Sequence, residues 1–246
     1  MDSILILARS LTFTFFLILI GCSHQNESTS PEVVLLPKVS KPEVELSVGI
    51  LVVNGVFNSE LVAPMDVLQH TIFHTDPGMR VFLVAETKQP ITTFEGLKII
   101  PDYDFSDAPV IDVLVVPSAE HSMDEDLENE ALIDFVMKRG KDAQYVMSLC
   151  DGAFVLAKAG LTNNHESTTF PGDILKYKER FPELTVHENV SFVHDDNLIT
   201  SAGGAKSYDP ALYLVELLYG NKAATGIAKG LVIDWNLLNV QHKIIQ

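Results

Sequence analysis

One cysteine stands where a nucleophile would be useful. Ser148-Leu149-Cys150-Asp151-Gly152 places a thiol between an apolar, strand-like run and a helix-like one. Small residues, Ser148 and Gly152, lie two places away on either side, as a tight strand-to-helix turn requires because it brings neighbouring backbone close. Such an elbow favours chemistry in two ways. A helix N-terminus stabilises a thiolate, and the Asp151 backbone N–H faces the place where an oxyanion would develop. The Asp151 carboxylate works against the first, since its charge disfavours a thiolate beside it. The alternative is a cysteine that only fills a core, the commoner use of a buried thiol.

The elements that would hold this turn alternate along the chain. Residues 46–53 (LSVGILVV) form a continuous apolar run, the pattern of a strand buried on both faces. Spacing over 60–74 predicts a helix with Val62, Met65, Val67, Leu68 and Ile72 as its apolar positions. Strands are expected at 81–85 and 110–117, with a short antiparallel excursion between them around 97–100 and Tyr103. Residues 127–139 read as an amphipathic helix facing inward through Leu132, Phe135 and Val136 and stopped by Gly140. A strand over 144–149 runs into Cys150, and a helix over 151–159 ends at Gly160. Short strands are expected around Thr168, Val186, Phe192 and Leu198, then two helices, 210–219 and about 222–238. Strands separated by helix-length segments predict an α/β domain over 46–240 with a mostly parallel central sheet and helices on both faces. Ligands of such sheets sit beyond the carboxyl ends of the strands. Glu60, the Ser118-Ala119 turn and Cys150 all fall there.

The N-terminal segment reads as an address. Residues 11–20 (LTFTFFLILI) are apolar, but a spanning helix needs about 20 such residues, so the run fits the core of a signal peptide. It ends in Leu19-Ile20-Gly21-Cys22, which resembles a bacterial lipobox. That resemblance implies cleavage after residue 21 and a lipid on Cys22; the alternative is a plain signal peptide or uncleaved anchor that happens to contain a cysteine. Residues 22–45 are polar and Ser/Pro-rich in the main, too poor in apolar surface to fold, and read as a tether. Ser23 after the cysteine is similar to lipoproteins sorted to the outer membrane of Gram-negative cells. The expectation is an exported lipoprotein of the cell envelope, held to a membrane by its lipid anchor and, in such a cell, facing the periplasm. With Cys22 so used, Cys150 is the one thiol left of two.

Charge narrows the partners. The 246 residues carry 33 acidic side chains against 17 basic ones, a net charge of -16, which argues against nucleic acid as a partner. Two cysteines cannot build a disulfide scaffold or a four-ligand zinc site. The acidic cluster Asp124, Glu125, Asp126, Glu128 and Glu130 reads as the solvated start of a helix, where acids suit the dipole. No metal and no cofactor is expected.

Taken together, the motifs resemble the DJ-1/PfpI family of the class I glutamine-amidotransferase-like superfamily. The resemblance spans 46–235 and rests on VGILVVNGVFNSELVAPMDVL (48–68), DVLVVPSAE (112–120), SLCDGAFVLAKAGL (148–161), STTFPGD (167–173) and LITSAGG (198–204), in that order and spacing. It is similar above all to the branch of isonitrile hydratases and of the sensor halves of some AraC-type regulators. The resemblance implies a flavodoxin-like three-layer sandwich, commonly a homodimer, with an acid near the cysteine sulfur. Glu60 matches that acid, with a role in hydrogen-bonding the thiolate or moving its proton. On its own residues Glu60 reads as well as a solvated acid in a first helical turn. Two departures stand out. Phe170 occupies the place of a histidine that many members pair with the cysteine, and Ser118-Ala119 replaces a common Gly-Gly. Phe170 cannot move a proton, which weakens peptidase and glyoxalase-like readings. His121 and His165 are close in sequence but read as loop histidines. Ser207-Tyr208-Asp209-Pro210 offers nothing like the His-x-Glu pair of glutaminases, and no helix-turn-helix follows Trp235.

Three functions remain open on these residues. One is an enzyme acting on a small electrophile such as an isonitrile, with attack by Cys150, proton transfer by Glu60, and the Ala119 and Asp151 amides holding the anion. The second is a non-catalytic lipoprotein that binds a small ligand or senses redox change through the same cysteine. The third is a structural module whose elbow is a relic of the fold.

Overall fold

The protein is described by a computed structural model that covers residues 36–245. The signal segment, Cys22 and the tether up to residue 35 lie outside the described residues. Eight strands form one sheet: β1 Leu46–Leu51, β2 Met79–Ala85, β3 Tyr103–Asp104, β4 Val113–Val116, β5 Tyr145–Leu149, β6 Phe192–Asp195, β7 Leu198–Ser201 and β8 His242–Ile245. Their order across the sheet is β8-β6-β7-β5-β4-β1-β2-β3. Every pairing is parallel except β6 with β7, a hairpin. The helices are α1 Asn58–Gln69, α2 Glu125–Glu128, α3 Glu130–Asp142, α4 Gly152–Lys158, α5 Ile174–Arg180, α6 Tyr208–Tyr219 and α7 Asn221–Gly230.

The continuous apolar runs behave as strands covered on both faces. In β4, Val113 and Val115 join one core, with α1, α6 and α7. Leu114 and Val116 join the other, with α3 and α4. This is the three-layer, mostly parallel arrangement expected of the sequence.

Several boundaries differ from the sequence pattern. Helix α1 starts earlier and stops at Gln69, and a 3-10 turn, His70–Phe73, follows it. Its buried face is Glu60, Leu61, Ala63, Pro64, Val67 and Leu68, so Val62 and Ile72 point outward instead. The single helix expected over 127–139 is two. Asn129 breaks it in extended conformation and caps α3 by accepting the Leu132 N–H at 3.1 Å. Gly140 does not stop α3; it is buried against Leu161, where a side chain would collide. The excursion is part antiparallel, Ile91–Thr92 with Lys98–Ile99, but Tyr103 pairs in parallel at the sheet edge. The last helix ends at Gly230, well short of 238, and β8 follows it as a strand that the sequence reading does not include.

Candidate active site

Cys150 is the residue between β5 and α4, and it sits at φ +53°, a left-handed conformation that costs free energy in any residue but glycine. Two glycines make room for it. A Cβ on Gly152 would lie 2.1 Å from the Val116 carbonyl oxygen, so the turn must pass flush against β4. A Cβ on Gly203 would lie 2.3 Å from the Cys150 Cβ, and Gly203 itself is at φ +75°. The Cys150 N–H donates to the Ser201 carbonyl at 3.0 Å, which fixes the elbow to the end of β7. The small residue two places beyond the cysteine was legible in sequence. Gly203 lies within LITSAGG, where nothing in the sequence marks its approach to Cys150.

Glu60, only 3 % exposed, comes to the same place from the first helical turn of α1. One oxygen accepts the Ser118 N–H at 2.9 Å and the other accepts the Gly204 N–H at 3.1 Å. The carboxyl thus joins the loops that follow β4 and β7, and it faces the thiol closely enough that each alters the other's proton affinity. Burial pushes Glu60 above the usual carboxylate range, while the two amides and Cys150 pull it back. Pro64 has no N–H to give the Glu60 carbonyl one turn back, so α1 lacks that hydrogen bond at the residue it presents.

Of the opposed effects expected at the thiol, those that disfavour the thiolate prevail. Burial, then the Glu60 and Asp151 charges, push it well above an ordinary thiol, and the Asp151 N–H offsets only part of this. Helix α4 has seven residues, so its dipole is a weak counterweight to two carboxylates. Asp151 is itself buried, 7 % exposed, and burial pushes it up to about 6 against the pull of a Thr169 hydrogen bond. The thiol donates to Asp151 Oδ2 at 3.8 Å, and Thr169 Oγ1 lies 3.0 Å from both Asp151 Oδ1 and the Cys150 carbonyl. Thr169 is a site residue that sequence reasoning passed over, although it lies in STTFPGD beside Phe170.

Not every expected partner is in place. The Ala119 N–H already donates to Ser122 Oγ at 2.8 Å, so it is not a free oxyanion donor; the small turn after β4 folds back on its own hydroxyl. Phe170 is 43 % exposed. His121 pairs with Asp124 at 3.2 Å and His165 with Asp195 at 3.7 Å. Among the described residues no group of three or more His, Cys, Asp or Glu is arranged to hold a metal ion. A cavity of about 770 Å³ lies at the other end of β5, lined by Leu36, Tyr145, His194 and Asp196. What converges at Cys150 is a strained thiol with two buried carboxyls: groups for nucleophilic attack with proton transfer, and no imidazole.

The DJ-1/PfpI family description matches residues 46–217. The isonitrile hydratase of Pseudomonas putida is 33% identical over 176 residues, 71% of this chain and 73% of that protein. The HTH-type transcriptional regulator GbdR of Pseudomonas aeruginosa is 24% identical over 140 residues, 57% of this chain but only 37% of the regulator. A ThiJ/PfpI family protein from Pseudomonas syringae superposes with a TM-score of 0.66 at 23% identity, covering 87% of this chain and 84% of its own. Drosophila melanogaster DJ-1beta does so at 0.65 and 22%, covering 78% and 100%. These structural likenesses concern the fold.

Proposed function

The chain belongs to the DJ-1/PfpI family, and within it we propose that the protein is a cysteine-dependent enzyme that hydrates a small electrophile of the isonitrile type. The observation that carries this reading is the pairing of a buried thiol with carboxyls and not with a histidine. Isonitriles need sulfur to bond to the terminal carbon and a proton to arrive at that same carbon. Cys150 supplies the sulfur. The Glu60 carboxylate takes the thiol proton as sulfur attacks and hands it to the carbon, a transfer that its raised proton affinity favours. Water then converts the thioimidate to an N-substituted formamide and frees the thiol. The similarity to the Pseudomonas putida isonitrile hydratase supports the substrate class.

The raised thiol also weighs against redox sensing. A sensor cysteine needs a thiolate at rest, whereas here burial, and then the Glu60 and Asp151 charges, disfavour it. The test is formamide production from a simple alkyl isonitrile by the full chain. Absence of turnover, or turnover that survives Cys150→Ala, would remove the reading.

The site is proposed to work at a membrane surface. The Leu19-Ile20-Gly21-Cys22 pattern supports lipid attachment at Cys22, with residues 22–45 as the tether. The substrate would then be a small molecule met in the cell envelope.

A further inference from the structure

Isonitrile hydration requires two separate proton hand-offs, and the mechanism above uses one carboxyl. In the first half, the S–C bond forms and the thiol proton reaches carbon, giving R–N=CH–S–Cys150. In the second half, water must lose a proton as its oxygen bonds to that carbon, and the nitrogen must gain one. The C–S bond then breaks, and the hydroxyl proton returns to sulfur as R–NH–CHO leaves. Glu60 lies between two amides and serves the first half. Phe170 cannot serve the second.

We propose that the Asp151 carboxyl is the second catalytic group, taking the water proton and delivering it to nitrogen, with Thr169 as the residue that aims it. This inference rests on the hydratase reading. The geometry is specific. Asp151 follows the nucleophile directly, is buried, and has Oδ2 3.8 Å from the sulfur that carries the intermediate. Its other oxygen is held at 3.0 Å from Thr169 Oγ1, whose own position is set by the Cys150 carbonyl at the same distance. Oδ2 has no second protein partner among the described residues, so the oxygen nearest the reacting centre is the one left to meet water. A burial that brings the group to about 6 places it where it is both an ionised base and a competent donor near neutrality.

The two halves can be separated by experiment. The full chain is mixed with an alkyl isonitrile, quenched, and read both for formamide and for the intact mass of the protein. Wild type is expected to turn over without much adduct. Asp151→Asn keeps the acceptor for Thr169 but cannot take a proton. It is expected to lose about 10²–10³ in kcat while the protein gains the mass of one isonitrile on Cys150. Glu60→Gln is expected to form no adduct. Thr169→Val is expected to lower kcat with a shifted acid limb of the pH profile near 6, which a merely structural role would leave in place. Turnover in Asp151→Asn equal to wild type, or loss of turnover without adduct, overturns the inference alone. Absence of both product and adduct in wild type removes the hydratase reading and the inference with it. Circular dichroism of each variant separates these results from misfolding.

Discussion

Gly203→Ala is expected to be strongly damaging, because it adds a methyl directly against the thiol's own residue. The new Cβ would sit 2.3 Å from Cys150 Cβ, 2.7 Å from its nitrogen and 2.8 Å from its Cα. None of these is the far end of a flexible side chain, so the elbow itself must shift. Gly203 also adopts φ 75° and ψ -161°, a region open essentially to glycine alone. The backbone cost is about 1–3 kcal/mol, and overpacking adds about 1–3 kcal/mol, for a sum near ~4 kcal/mol. In a domain of this size ~1 kcal/mol moves Tm by ~2–4 °C, so the variant should melt roughly 8–16 °C lower. Gly204→Ala is the control. It too has positive φ, at +57°, but a Cβ there meets nothing within 4 Å. Its cost is about 1–2 kcal/mol, a drop of roughly 2–8 °C. The assay is differential scanning calorimetry of both variants in the same buffer. If Gly203→Ala melts within a few degrees of wild type, or above Gly204→Ala, the close approach of the two loops is not what holds Cys150 in place.

Other outcomes follow from the same geometry. Glu60→Gln removes the charge that disfavours the thiolate, so iodoacetamide should alkylate Cys150 faster at fixed pH, by about tenfold per pKa unit; equal or slower alkylation would contradict the coupling. Asp151 binds its proton up to about 6 in the folded protein against 3.8 ordinarily. Between those values the folded state holds more protons than the unfolded one, so stability falls as pH rises through that window. Asp151→Asn should therefore gain about 3 kcal/mol in urea unfolding at pH 7.5, a gain that shrinks as pH approaches 4. In bacterial cells, labelled palmitate should enter the wild-type chain and not Cys22→Ala; absence of label in the wild type would favour a plain signal peptide.

The sequence was most legible where burial is two-sided. Val113–Val116 and Leu46–Leu51 could be seen as central strands because every residue in them is apolar or small. Helix ends were less legible. Asn129 interrupts a periodic run that looks continuous, and only its capping chemistry marks the break. At the site, the local turn around Cys150 could be read from Ser148 and Gly152. Topology put Glu60 at the same end of the sheet as Cys150, but only family resemblance tied it to the thiol, because nothing local distinguishes it from a solvated acid. Thr169, Gly203 and the Ser122 hydroxyl that occupies the Ala119 amide escaped notice, since each matters only through a contact made by folding.

Glu60 draws its two amides from residues 58 and 144 places further along the chain. The complete site therefore needs three distant segments of the chain brought together. In the unfolded chain Cys150 has the acidity of an exposed thiol, near about 8.5. Closure of the fold then withdraws it from ionisation. The native arrangement consequently acts as a safety catch: a nascent cysteine is open to oxidants, and a finished one is sheltered. In an oxidising compartment, the fraction of chains that keep a free thiol at Cys150 would count those that completed folding in time.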